Sequence, residues 1–269
     1  VGSCTVLMAT VILPLERVYQ LPFVLSPLSV VLDARRALAA LGGTRSARDF
    51  HRDVGYVFRK QIEEAEWLVV NKTDLLPGED LDDLELRIAK TYPDKKIFYV
   101  SGKTGQGLED WFLAMLDHES GPAKIMEVDY ERYAVGEALL GWVNSEARCL
   151  PLTGELDWAR WLAETGGKIA AILDERGHEV GHFKMSVETG MCRWRLHQVI
   201  RGEIPVVLTD RLPTATKQNG RLLVNLRAEG AAEDLQTIVD EVFGNQSEVT
   251  VEFRDRAAFQ PGKPKPTHR

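Results

Sequence analysis

Two short polar stretches carry the residue types from which a binding chemistry can be built. Asn71-Lys72-Thr73-Asp74 follows the apolar run Trp67-Leu68-Val69-Val70, and Ser101-Gly102-Lys103 follows Ile97-Phe98-Tyr99-Val100. Polar loops at the C-terminal ends of consecutive strands are where an open α/β sheet binds its ligand. These side chains suit a guanine base. An aspartate at position 74 can accept from the ring N–H and the exocyclic amine together, a donor pair that adenine lacks. Asn71 can tie the base edge to the neighbouring loop, and the Lys72 stem can lie flat over a purine. Ser101 can brace Asp74, while the backbone N–H of Gly102 or Lys103 can meet the guanine carbonyl oxygen. A site built for specific donors rejects an analogue lacking them by roughly 10⁴-fold or more. Asn and Asp are also ordinary turn residues, so either loop alone would be no more than a turn. Two of them in order, each behind a strand and one helical pattern apart, favour the base-binding reading. No catalytic residue is assigned.

Phosphate binding in this class needs Gly-x-x-x-x-Gly-Lys-Ser/Thr, whose backbone N–H groups and lysine hold the phosphates. Two stretches mimic its end. Gly102-Lys103-Thr104 has the last three residues, but Ile97 occupies the upstream glycine position. Gly167-Lys168 has Leu162 there, and Ile169 follows where Ser or Thr is required. Neither is a phosphate loop.

The chain opens Val1-Gly2-Ser3-Cys4-Thr5, and here it resembles the CobW/UreG/HypB-like metal-chaperone P-loop GTPases. In that family a Glu-x-x-Gly motif ends the strand facing the γ-phosphate, and Val1-Gly2 look like its last two residues. The resemblance runs on through Val30-Val31-Leu32-Asp33-Ala34-Arg35, Tyr56-Val57-Phe58-Arg59-Lys60-Gln61, Asn71-Lys72-Thr73-Asp74 and Ser101-Gly102-Lys103. It covers residues 1–120 well and the remainder loosely. It implies that Gly2 lies on the γ-phosphate side of the switch region, and that the Walker A loop, the Mg²⁺ ligands and a Cys-rich metal motif lie upstream of Val1. It further implies GTP and Mg²⁺ as cofactors. Hydrolysis would be coupled to delivery of cobalt, nickel or zinc to a client metalloprotein or cofactor-biosynthesis protein, cobalamin metabolism being one setting. Residues 1–269 alone are expected to be inactive.

Composition sets outer bounds. At 269 residues the chain is long enough for two cores. Lys+Arg 33 against Asp+Glu 40 gives a net charge of −7, which makes nucleic acid and anionic membrane poor partners for the chain as a whole. No apolar run approaches the roughly 18 residues a membrane helix needs. Cys4, Cys149 and Cys192 are odd in number and far apart, which fits a reducing, cytoplasmic compartment better than a disulfide framework.

Elements must position the two loops, and in the first half strand and helix patterns alternate. Residues 4–20 read as a helix divided by Pro14, and 28–33 as a buried parallel strand. Residues 45–65 put Phe50, Val54, Val57, Phe58, Ile62 and Ala65 on one helical face. The strand 67–70, a helix marked by Leu81, Leu84, Ile88 and Tyr92, the strand 97–100 and a helix 108–117 follow. This is a partial doubly wound parallel sheet, assigned to a domain of residues 1–121. The breaker cluster Glu119-Ser120-Gly121-Pro122 marks its end. Residues 122–269 form a smaller α+β domain. Its strands are read at 138–143, 180–187, 193–199, 222–226 and 249–253, with helices at 157–174 and 233–243. Strand-helix-strand-strand-helix-strand suggests a ferredoxin-like layer, ending in an extended Pro-rich tail.

One motif in the second half competes for attention. His178-Glu179-Val180-Gly181-His182 matches the HExxH pattern of zinc proteases, which requires both histidines on one helical turn. Gly177 reads as a helix stop, and Val180, His182 and Lys184 continue a period-2 pattern, so an extended backbone is expected there. No metal ligand is assigned. A nucleotide-independent interaction module and a zinc metalloprotease remain the alternatives to the GTPase reading.

Overall fold

The computed structural model describes residues 24–42, 50–119, 127–152, 154–190, 192–209 and 215–262, with 7, 12 and 14 in addition. Gly2, most of the expected helix 4–20 and the end of the Pro-rich tail lie outside these residues. The chain divides between Gly136 and Glu137 into two compact units.

The first unit is built on three parallel strands in the order β1 (Ser29–Asp33), β2 (Trp67–Asn71) and β3 (Lys96–Val100). Leu68, Val69 and Val70 are fully buried, as a strand covered on both faces must be. Leu32, Leu68 and Val70 pack on one side against α1 (Ala34–Ala40), α2 (Arg52–Glu64) and α3 (Gly78–Thr91), through Leu38, Ile62, Leu84 and Ile88. Consecutive strand order with right-handed crossovers puts these helices on a single face. The other face carries Trp67, whose ring lies 5.2 Å from Phe98 and 5.6 Å from His118. His118 follows α4 (Leu108–Asp117), and Trp111 of α4 donates to Ser29 Oγ at 3.4 Å. Helices therefore flank both faces, and the mixed α/β architecture expected from the alternation is present. The helix read from residue 45 begins at Arg52 among the described residues, capped by His51 Nδ1.

A further helix, α5 (Tyr130–Ala138), is not visible in the sequence pattern. Arg132 Nε donates to Asp53 Oδ1 at the start of α2 at 2.6 Å, and this guanidinium holds the Asp53 carboxyl below its ordinary value. A Cβ at Gly136 would lie 2.5 Å from Asp53 O. These contacts carry the first unit past the Glu119–Pro122 cluster.

The second unit is a six-stranded antiparallel sheet in the order β11-β4-β10-β6-β7-β8. Its strands are β4 (Leu140–Pro151), β6 (Val180–Thr189), β7 (Cys192–Gln198), β8 (Val206–Thr209), β10 (Gly220–Glu229) and β11 (Val249–Phe259). A separate two-residue pair joins β5 (Leu156–Asp157) to β9 (Ala215–Thr216). The path β4, α6 (Trp158–Glu175), β6, β10, α7 (Ala232–Gly244), β11 has the split βαβ order of a ferredoxin-like layer. β6 pairs with β10 on one side and with β7 on the other, and β7 and β8 extend the edge beyond β6. One sequence expectation is corrected here. The strand read at 138–143 is instead the end of α5 followed by the twelve-residue β4. Its inward positions Ser145 and Ala147 are polar and small, which hides the alternation in the sequence.

Both helices of this unit pack on one face. Trp158, Trp161, Leu162, Ile169 and Leu173 of α6 meet Phe183, Met185, Trp194 and Leu196, while α7 adds Leu235, Ile238 and Val239. Trp158 and Trp161 stand edge to face at 5.6 Å, a geometry the ring quadrupoles favour. A Cβ at Gly166 would sit 2.4 Å from Leu196 Cδ1, so that glycine sets how closely α6 approaches β7. At the start of the unit, Arg227 Nη2 donates to Glu137 at 3.0 and 3.2 Å, and its guanidinium lies 4.5 Å over the Trp142 ring. Burial pushes the Glu137 carboxyl up against the opposing pull of Arg227.

Candidate functional site

Strand register brings the candidate residues to one edge of the first unit. Asp33 pairs with Asn71, and Asn71 with Val100, so β1, β2 and β3 end level with one another. Asn71 is therefore the last residue of β2, and Ser101 is the first beyond β3. Asn71 Oδ1 accepts from Lys72 N at 2.7 Å and from Gly102 N at 2.9 Å, stitching the two loops together. Thr73 Oγ1 adds a second stitch, donating to Val100 O at 3.1 Å from a buried position. The turn Thr73–Leu75 then presents Asp74. Ser101 Oγ donates to Asp74 Oδ1 at 2.6 Å and accepts from Thr104 N at 3.1 Å. Ser101 is fully buried and Asp74 exposed, so a fixed hydroxyl holds a carboxylate that faces outward.

Lys72 has φ 68°, the left-handed conformation, and is the one non-glycine residue with positive φ among the described residues. That conformation costs roughly 1–2 kcal/mol for an L-residue, and backbone strain of this kind gathers at functional sites. It sends the side chain back toward β1, where Nζ pairs with Asp33 Oδ2 at 2.8 Å. Asp33 Oδ1 in turn caps α1 by accepting from Arg36 N at 3.1 Å. Asp33 was not singled out as a site residue from the sequence. The available signal was its place at a strand end ahead of a helix-forming run, Ala-Arg-Arg-Ala-Leu-Ala-Ala.

The second loop closes on itself. Gly105 N donates to Ser101 O at 2.8 Å, and Ser101 N to Gln106 O at 2.9 Å. Gly107 caps α4 with φ +70°, and a Cβ there would fall 2.2 Å from Tyr99 O. We expect Gly107→Ala to destabilise the first unit by more than about 2 kcal/mol, combining left-handed strain with a backbone clash. Denaturant unfolding followed by Trp67 and Trp111 fluorescence should show the loss; an unchanged midpoint would contradict the loop geometry. Lys103 is exposed, and with Gly102 N taken by Asn71, the Lys103 N–H is an open donor of this loop among the described residues. The structure thus brings Asn71, Lys72, Asp74, Ser101 and Gly102 into one network with Lys103 at its rim, while Gly2 lies outside the described residues.

Residues 3–99 match the family model described as CobW/HypB/UreG, nucleotide-binding domain. This segment belongs to the CobW/HypB/UreG family. The CobW/HypB/UreG match takes in β1, β2 and the whole Asn71–Asp74 loop, and it stops before Ser101. Among solved structures, a zinc(II)-bound triple mutant of the YjiA GTPase is 13% identical, with 88% of this chain and 66% of that chain covered and a TM-score of 0.28. The chain therefore spans just under two thirds of that structure's length. No curated protein matches the chain.

The His178-Glu179-Val180-Gly181-His182 stretch is not helical. Gly177 has φ +79°, His178 lies in the connection after α6 with Nδ1 2.7 Å from Glu229 O, and His182 is on β6. Glu179 is buried in an ion pair with Arg201 at 3.0 Å. This backbone separates the residues that a zinc protease places on a single helical turn. Among the described residues no group of three or more His, Cys, Asp or Glu side chains is placed to hold a metal ion, and no helix is long and apolar enough to cross a membrane.

Proposed function

We propose that Asn71, Lys72, Asp74 and Ser101-Gly102-Lys103 read a guanine base, and that the nucleotide is GTP. The Ser101-braced Asp74 carries this reading, because the brace fixes a carboxylate outward at a sheet edge where its oxygens can take the two guanine donors. The Lys72 stem, its Nζ held by Asp33, would form one wall of a purine slot. Lys103 N–H supplies the donor for the guanine carbonyl oxygen. The CobW/HypB/UreG membership of residues 3–99 supports nucleotide binding in general, and the donor set makes the choice of guanine.

Within that reading, the protein is a GTPase of the metal-chaperone type, cytoplasmic, passing a metal or cofactor to a client metalloprotein or cofactor-biosynthesis protein. Cobalamin synthesis is one setting; neither nucleic acid nor membrane is a partner. Mg²⁺ accompanies the phosphates of GTP, where it neutralises charge during phosphoryl transfer; no described side chain is assigned to hold it. The chain's own residues select and orient the base.

Ligand-observed saturation-transfer NMR on the 269-residue chain tests the base site at weak affinity. Guanosine should receive transfer and adenosine should not, and Asp74→Ala should abolish the guanosine signal. Equal transfer to both nucleosides, or none to either, would favour the second reading, a nucleotide-independent interaction module.

A further inference from the structure

Lysine is an uncommon choice for the left-handed conformation, which glycine takes without strain and asparagine tolerates. Lys72 nevertheless has φ 68° and ψ 34° at the head of the Thr73–Leu75 turn. Its N–H donates to Asn71 Oδ1 at 2.7 Å, a bond that other residue types could make equally well. The lysine side chain adds a specific hold. Nζ lies 2.8 Å from Asp33 Oδ2, and the Asp33 side chain is 13% exposed. Oδ2 is closed off from solvent and finds no better-directed donor among the described residues, so the Lys72 ammonium is the charge that answers it. Separating the two would leave a buried carboxylate oxygen unmatched, which is strongly unfavourable. Asp33 is itself fixed from two directions. Its backbone is in register with Asn71, and its Oδ1 accepts from Arg36 N at 3.1 Å.

The effect reaches Asp74 through the backbone. Lys72 O accepts from Leu75 N at 3.0 Å, and no side chain caps the turn that this bond closes. A return of Lys72 to negative φ would turn that carbonyl away from Leu75 and loosen the grip of Asn71 on the loop. Capping of α1 does not by itself call for an aspartate at position 33, since serine, asparagine or threonine also caps a helix. A carboxylate caps the helix and holds an ammonium at once.

We propose that Asp33 is the positioning residue of the base site, holding Lys72 left-handed and so fixing both the lysine stem and the turn that presents Asp74. Its consequence for binding rests on the guanine reading; its hold on the loop does not.

Asp33→Asn keeps the Oδ1 cap and sets an amide N–H₂ group against Lys72 Nζ. In the ligand-free chain, amide hydrogen exchange at Lys72, Leu75 and Gly102 should quicken roughly tenfold. One decade is ~1.4 kcal/mol, the order of the strain in a single left-handed residue. Exchange at Leu68, Val69 and Val70 in the core of β2 should stay as in the parent. Guanosine binding, read by saturation transfer, should weaken by a similar factor. A rescue separates positioning from capping. In a Lys72→Gly background positive φ carries no strain, so Asp33→Asn should leave exchange at Leu75 and Gly102 unchanged there, whereas a lost cap would act equally in both backgrounds. If Asp33→Asn lowers the melting temperature, Lys72→Met breaks the same pair with the cap intact and should still quicken Leu75 and Gly102. Unchanged exchange in Asp33→Asn, or the same quickening in the Lys72→Gly background, would overturn the inference even where guanosine binds. No transfer to guanosine from the parent chain would overturn the base reading instead, and exchange would still decide whether Asp33 holds the loop.

Discussion

Asp74→Asn is expected to turn the base preference from guanine toward xanthine. The aspartate offers two acceptors, one steadied by Ser101 Oγ at 2.6 Å, to the ring N–H and the exocyclic amine of guanine. An asparagine keeps one acceptor and replaces the other with an N–H₂ group, which opposes the amine but can donate to the carbonyl that xanthine carries there. Hydrogen bonds to a charged group are worth about 1.5–3 kcal/mol each. Losing one and setting a donor against a donor should therefore cost guanine about 3 kcal/mol or more, roughly a hundredfold in affinity. Xanthine should gain by a comparable factor. Competition between guanosine and xanthosine in saturation-transfer NMR reads the ratio directly. Ser101→Ala is the control: it removes the brace and keeps both acceptors, so guanine binding should weaken without a change of preference. An Asp74→Asn chain that still prefers guanine would mean that another group reads the base.

Much of this site is legible in the sequence because its parts are local. The runs 67–70 and 97–100 are apolar and β-branched or aromatic, each is followed at once by polar loop residues, and the helix between them has clear 3.6-residue spacing. Strand ends and loops follow from those patterns, and so does the pairing of Ser101 with Asp74. The Lys72–Asp33 pair is different. It depends on β1 and β2 ending level and on a left-handed backbone at Lys72, and no local pattern announces a lysine with positive φ. In the second unit the two helices are legible through the spacing of their apolar residues, Trp158, Trp161, Leu162 and Ile169 in one and Leu235, Ile238, Val239 and Val242 in the other, whereas the sheet order is not. β10 became the centre of the sheet because β7 and β8 were free to extend the far edge, a choice settled by long-range pairing. β4 is obscured for a simpler reason. Its inward residues Ser145, Ala147 and Cys149 are not the large apolar side chains that advertise a strand. His178 and His182 show the reverse case, in which a spacing that suggests chemistry falls across a helix stop and a strand.

Residues 1–269 by themselves are expected to hydrolyse no GTP at a measurable rate. Affinity for a triphosphate rests largely on charge-assisted bonds from a phosphate loop, each worth about 1.5–3 kcal/mol. The nearest approaches to such a loop in these residues are Gly102-Lys103-Thr104 and Gly167-Lys168, and neither has the upstream glycine. Gly102 N is moreover committed to Asn71 Oδ1, and Gly167 and Lys168 lie within α6, where the backbone N–H groups are taken up by the helix. Forgoing three phosphate contacts would cost about 4.5–9 kcal/mol, roughly three to six orders of magnitude at ~1.4 kcal/mol per decade. Phosphoryl transfer suffers further, since it depends almost wholly on positioning and on countering charge at the γ-phosphoryl group. Loops that hold the base, as proposed for Asn71–Asp74 and Ser101–Lys103, act at the opposite end of the nucleotide and would supply neither. Phosphate release should match a GTP-only blank, and weak binding should keep its guanine preference. Turnover above the blank that survives Asp74→Ala would place the reacting nucleotide somewhere other than the Asn71–Lys103 edge. Turnover that Asp74→Ala abolishes would keep the base site and require a phosphate-holding segment of a kind that the glycine-lysine pattern does not describe.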